Sequence, residues 1–117
     1  MRNQNIVVLE GNLIKDPEYK KSSNGNPMLR FSIATNGYGT AKQNNGRREF
    51  VSFFDIIAWS ELAESFSDKL KKGLGIRVVG PLSQWRWKDD DGKGHSRINI
   101  IAHNIDFIIA KKKPVNF

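Results

Sequence analysis

The stretch FVSFFDIIAWSELAESFSDKLKKGLGIRVVG, residues 50–80, holds three elements in a row and decides the fold. Its opening alternates. Phe54, Ile56 and Ala58 form one uninterrupted apolar row opposite Phe53, Asp55, Ile57 and Trp59, the pattern of a strand whose side chains leave by opposite faces. The row carrying Asp55 is expected to meet water, which puts Phe53 and Trp59 at the surface; the alternative is that they pack under a loop or a partner subunit. Leu62, Phe66 and Leu70 then recur at four-residue spacing, the stripe of a helix over residues 61–72. Ser60 is positioned to cap it, Glu61 and Glu64 against Lys69, Lys71 and Lys72 suit the two ends of its dipole, and Gly73 can stop it. Residues 76–82 return to β-branched and apolar types, with Gly80-Pro81 interrupting the ladder because proline has no amide donor.

Working outward, a first strand starts at Ile6, with Gly11-Asn12 permitting a bend or bulge before Leu13 and Ile14. Turns are expected at Asp16-Pro17, Asn24-Gly25 and Asn26-Pro27. A second strand follows, with Leu29, Phe31, Ile33 and Thr35 on one parity and Arg30, Ser32 and Asn36 on the other. Residues 37–49, rich in turn formers and carrying Tyr38, Lys42, Arg47 and Arg48, read as a long basic hairpin loop. After the fourth strand begins, Trp85-Arg86-Trp87-Lys88 sets two tryptophans on one parity between two cations, and Asp91-Gly92 turns the chain back to Arg97 as a β-hairpin. Ile98, Ile100 and Ala102 continue inward, residues 105–109 finish the fifth strand, and the last residues, KKKPVNF, form a short basic tail. Five strands with one helix between the third and fourth fit an all-β chain, a small closed Greek-key barrel of the oligonucleotide and oligosaccharide-binding type. A sandwich fits less well, and a βαβ sheet would demand repeated helices. Residues 1–110 then make one domain and 111–117 the tail.

The chain of 117 residues carries 19 Lys and Arg against 12 Asp and Glu, a net charge of +7, with no cysteine and two histidines. One small core is affordable; a two-domain cleft enzyme is not. Disulfides, thiolate metal sites and thiol nucleophiles are excluded by composition. No apolar run approaches a secretory signal or a membrane span, so the chain reads as soluble and unprocessed. Gly73, Gly75 and Gly80 match neither a dinucleotide nor a P-loop fingerprint. His95 and His103 lack carboxylates at metal-ligand spacing and read as ordinary surface or edge residues; Asp89-Asp90-Asp91 reads as a solvated turn rather than a calcium loop. No cofactor and no metal are expected.

The positive charge favours a polyanion, although an anionic membrane surface could use the same charge. What remains is aromatics alternating with cations: Tyr38, Phe53, Trp59, Trp85 and Trp87, with Arg30, Lys42, Arg47, Arg48, Arg77, Arg86, Lys88 and Arg97. A sequence-tolerant binder of single strands needs this chemistry, because a splayed base offers a π-face whatever its identity and its backbone a regular line of charge. A barrel that uses the same exposed aromatics to hold another protein stays open as the alternative.

Several ordered blocks resemble the bacterial-type single-stranded DNA-binding protein family, including its phage and plasmid-borne members. They are NIVVLEGNL at 5–13 with Asp16-Pro17-Glu18, FSIATN at 31–36, residues 53–59, Leu62-Ala63-Glu64 with Leu70-Lys71-Lys72-Gly73, Val79-Gly80 with Leu82, Trp87 with Asp91-Gly92, and Ile100-Ile101-Ala102 through Ile105. The resemblance implies a non-catalytic homo-oligomer, a tetramer or a dimer, that coats single-stranded DNA during replication, recombination and repair in the cytoplasm, at the nucleoid. It also implies stacking roles for Phe53, Trp59 and Trp87, and a further one near Tyr38. Asp55 departs from relatives with a cation there, and Pro81 from a polar residue. Family members also continue through a flexible linker to an acidic tip that recruits repair proteins, which the ending KKKPVNF does not support.

Overall fold

The computed structural model describes residues 2–41 and 46–108, with the backbone alone at 38–41 and 46–49. The described chain forms one curled, all-β sheet with a single helix: β1 Val7–Leu13, β2 Glu18–Lys21, β3 Pro27–Ala41, β4 Gly46–Trp59, α1 Ser60–Phe66, β5 Gly75–Gly80, β6 Leu82–Lys88, β7 Gly94–Ile101 and β8 Asn104–Phe107. The hydrogen-bonded order is β6-β7-β4-β3-β1-β5-β8, with β2 pairing β3 off this path. Pairing is antiparallel except between β4 and β7, where Ile56 and Ile57 lie beside Ile100 and Ile101 in parallel.

The alternation read from the sequence generates the core. Leu29, Phe31 and Ile33 of β3 meet Ile56 and Ala58 of β4, Ile76 and Val78 of β5, and Ile100, Ala102 and Ile105, all buried. The helix packs against β3 and β4 and puts Ala63 into that core, with Leu62 and Phe66 packed against it. The expected stripe is therefore present, but the helix ends six residues early. Ser67 turns its hydroxyl back to the Glu64 carbonyl, Lys69 N–H bonds the Phe66 carbonyl, and Lys72 N–H is taken by the Asp16 carboxylate. Leu70 reaches the core from a turn instead. Ser60 does not cap the helix either: it is the first helical residue, at φ 56°, and its hydroxyl donates to the Asn26 side chain at 2.8 Å.

Two further elements differ from the sequence reading. β2 leaves no signal in the sequence because its four residues are all exposed and show no apolar alternation; Tyr19 ties it down by donating to Glu64. That bond to a carboxylate, the largest influence on the phenol, holds Tyr19 above its ordinary titration range. The long hairpin loop is in fact mostly ladder: β3 and β4 stay paired from Gly37 opposite Phe50 out to Ala41 opposite Gly46, and only 42–45 lie outside the described residues.

The sheet curls back on itself where β5 gives way to β6. Pro81 supplies no N–H, as expected, yet its carbonyl accepts from Ile101 N–H at 3.0 Å, and Val79 takes His103 N–H at 2.8 Å. The break between β5 and β6 therefore faces the break between β7 and β8. Asn5 repairs the ladder beside it, its side chain accepting from Leu82 N–H at 3.0 Å and donating to the Leu82 carbonyl at 2.9 Å, as a paired strand residue would. Asn5→Ala is expected to cost about 1 to 2 kcal/mol of stability in urea unfolding, the sum of two modest hydrogen bonds, and a change within error would mean that water replaces them.

Candidate nucleic-acid interface

The face of the sheet opposite the core gathers residues from four strands. Register puts Ile57 opposite Arg30, Asp55 opposite Ser32 and Trp59 opposite Met28 across β3 and β4. It puts Trp85 opposite Arg97 and Trp87 opposite His95 across the β6–β7 hairpin. Met28, Arg30, Ile57, Trp85, Trp87, Arg97 and Asn99 line a cleft of about 430 Å³. A smaller one of about 200 Å³, lined by Lys15, Glu18, Arg30, Phe31, Ser32, Asp55 and Arg97, continues it through the shared Arg30 and Arg97. The result is a groove with an apolar, tryptophan-walled half and a polar half, joined by two guanidinium groups.

Trp85 and Trp87 stand 53% and 46% exposed, large aromatic surfaces held out by a β-hairpin rather than lost into a core. Phe53 is more exposed still, at 63%. Trp59 is half-buried at the end of β4, and Ile57, on the row expected to be wet, is buried. Parity gave the direction of these side chains correctly but not their cover. Asp55 is occupied, its carboxylate accepting the Ser32 hydroxyl at 2.6 Å. Arg30 lies 3.4 Å from Glu18, both partners solvated, whereas Arg97 has no ion pair among the described residues.

Other cations fall elsewhere. Arg86 and Lys88 alternate with the tryptophans along β6 and line a separate shallow pocket with Gln84, Trp87, Gly94, His95 and Ser96. Arg77, on β5, is engaged by Glu10 through bonds of 2.8 and 2.6 Å. Tyr38, Arg47 and Arg48 belong to the paired extension of β3 and β4, where Tyr38 stands opposite Glu49, Gly39 opposite Arg48 and Thr40 opposite Arg47, and Lys42 lies outside the described residues. The groove also contains Met28, Ile57 and Asn99, which carry no chemical signature in the sequence. Only the register of the hairpin against β3 and β4 brings them in.

At the hairpin tip the Asp89 carboxylate gathers three donors: Lys93 N–H at 2.8 Å and Asp91 N–H at 2.9 Å on one oxygen, and His95 Nε2 at 2.8 Å on the other. The His95 bond first, then the Lys93 amide, hold this carboxyl below its ordinary range. The His95 ring lies stacked on Trp87, with centroids 5.4 Å apart and planes at 19°. Among the described residues no three His, Asp or Glu side chains gather in a way that could hold a metal ion, and no helix is long and apolar enough to cross a membrane.

Residues 4–108 match the single-strand binding protein family. The chain is 37% identical over 110 residues to single-stranded DNA-binding protein 2 of Chlorobaculum tepidum, covering 93% of this chain and 74% of that one. It is 38% identical over 108 residues to the single-stranded DNA-binding protein of Treponema pallidum, covering 92% of this chain and 60% of that one. Among solved structures, a deletion mutant of the single-stranded DNA binding protein from Thermus aquaticus superposes with a TM-score of 0.82 at 27% identity, over 92% of this chain and 52% of that one. The Plasmodium falciparum SSB complex with ssDNA shares the fold, with a TM-score of 0.83 at 20% identity over 93% and 98% of the two chains.

Proposed function

This chain belongs to the single-strand binding protein family, and from that premise we propose that it binds and protects single-stranded DNA, without catalysis, in replication, recombination and repair. The observation that carries the reading is the groove: Trp85 and Trp87 offer π-surface to bases of any identity, and Arg30 and Arg97 join its halves where a phosphate backbone would run. Phe53 extends the stacking surface along β4, and Trp59 lies at its far end. Arg86 and Lys88 serve phosphates beyond the hairpin edge and Arg47 and Arg48 those along the β3–β4 extension, where Tyr38 adds a further stacking ring; Lys42, outside the described residues, adds one more cation. We read the eight strand segments as the five strands of a Greek-key barrel spanning residues 1–110. In this reading β5 with β6, and β7 with β8, are single strands bent where Pro81 faces Ala102, and β2 is an added hairpin arm.

An apolar row supports self-association. Ile6 and Val8 are about 60% exposed on the outer side of the first strand, and Leu82 and Ile98 are exposed as well. Such a surface suits contact between copies in a homo-oligomer, a tetramer or a dimer, acting in the cytoplasm at the nucleoid.

The test is titration with a fluorescent single strand, a matched duplex and a matched RNA at two salt concentrations, following tryptophan quenching. Tight, quenching binding to the DNA strand with a large preference over duplex supports the reading. Weak binding that disappears at moderate salt without quenching would instead favour a barrel that uses its aromatic face to hold a protein. Charge is separable from stacking: neutralising Arg30 or Arg97 to Gln is expected to lower the salt slope of log K by about 0.7 each. Arg77→Gln, whose charge Glu10 already engages, should change it much less, and equal losses at all three would make the charge contribution delocalised.

A further inference from the structure

Trp87 has two faces, and the structure treats them differently. One takes the His95 ring, stacked at 5.4 Å; the indole also walls the main groove beside Trp85 and Arg97. His95 is itself held, because its Nε2 bonds an Asp89 carboxylate fixed by two backbone amides of the Asp89–Lys93 turn. That turn is closed by Asp89 N–H to the Lys93 carbonyl and Gly92 N–H to the Asp89 carbonyl, with Gly92 at φ 80°. A chain of contacts therefore runs from the turn backbone through Asp89 and His95 to the orientation of an exposed tryptophan.

We propose that His95 is a positioning residue for single-stranded DNA: it occupies one face of Trp87, leaves the groove face for a single nucleobase, and strengthens the grip as the pH falls. The inference rests on the single-strand reading above. The group that can change its charge is the imidazole. On its own face of the hairpin His95 has Arg97, two residues along β7; Asp89 reaches it from the turn, and Arg86 and Lys88, which leave β6 by the other face, share the rim of the shallow pocket with it, where Gly94 and Ser96 are neutral. Asp89 is held below the ordinary carboxylate range and so stays anionic from weakly acid to neutral pH. Protonation therefore adds a positive charge, partly offset by Asp89, near Arg97 and the pocket shared with Arg86 and Lys88. It also makes both imidazole nitrogens donors, which fixes the bond to Asp89, and sets a cation against the indole π-face. Phosphate is attracted more strongly, and the tryptophan is held more firmly for the incoming base.

The experiment compares Kd for a labelled oligothymidylate at about pH 8 and about pH 5.5, on either side of the ordinary imidazole value. An added charge partly offset by Asp89 raises the salt slope by less than the roughly 0.7 of a free one, so at moderate salt the protein should bind about two- to fourfold tighter at the lower pH. His95→Phe keeps a ring on Trp87 and removes the titration, and its affinity should be flat in pH. His95→Gln keeps a hydrogen-bonding side chain but loses the stack, and should bind more weakly at both values. His103→Gln should retain the full pH response. In the free protein, tryptophan emission should change as His95 protonates, and that change should vanish in His95→Phe. A flat profile in the unaltered protein that still binds tightly, or an unchanged response in His95→Phe, overturns the proposal alone. Failure to bind at either pH overturns the single-strand reading and this one with it.

Discussion

Replacing Trp85 and Trp87 together by alanine is expected to weaken single-strand binding by about 2 to 6 kcal/mol, at least thirtyfold or so in Kd. Each ring presents about half of its surface to solvent on the wall of one cleft, so a base can lie on either without displacing protein. The same exposure makes the experiment clean: neither indole is part of the buried core, and the melting temperature should move little. Affinity measured by anisotropy of the labelled strand avoids any dependence on tryptophan emission. A double variant that still bound within a factor of two would transfer the stacking role to Phe53 and the β3–β4 extension. Trp59→Ala is a poorer probe, because Trp59 is half-buried and its loss would change packing and binding together.

Gly80→Ala is expected to give the largest loss of stability among single substitutions outside the apolar core. A Cβ at this position would sit 1.8 Å from the Ile101 carbonyl oxygen and 2.9 Å from its carbon, and both belong to backbone that cannot swing aside. Overpacking of this kind costs about 3 kcal/mol or more, which for a domain of this size lowers Tm by about 10 °C or more. Gly94→Ala is the control, since a Cβ there meets nothing within 4 Å. Thermal unfolding of the two should differ widely. Equal, small effects would mean that the β5–β6 and β7–β8 junctions separate more readily than the hydrogen bonds between them imply.

Much of this was legible in the chain. The three-element run of residues 50–80 gave the single helix and its place, and the alternation in β3 and β4 gave the core. The tryptophan parity of β6 put both rings on one cleft wall, because they had to leave by one face of a hairpin whose turn is marked by Asp91-Gly92. The remainder depends on contacts far apart in sequence. Ile57 reads as a solvent-side residue until the hairpin and β3 close over it. Gly11 reads as a bend, yet β1 passes through it unbroken, and what requires glycine is the Ala34 carbonyl, 2.5 Å from where its Cβ would be. Asn5 gives no signal at all, since its partner lies 77 residues away. His95, without metal-ligand spacing, reads as an ordinary surface or edge residue, and only the hairpin register puts it on Trp87 with Asp89 behind it.

Among the described residues the strand order also has an end at β6, which pairs with β7 on one side. A bare strand edge is a template on which another chain can add its own backbone, and an edge lined with aromatics would invite that growth. Arg86 and Lys88, placed between the two tryptophans and after them, put charge along that border at the spacing where an incoming strand would have to lie. Lysine and arginine on an outer strand are a standard protection against runaway β-addition. The alternation of ring and cation proposed to draw a polyanion to this border would thus also oppose the addition of another polypeptide strand there.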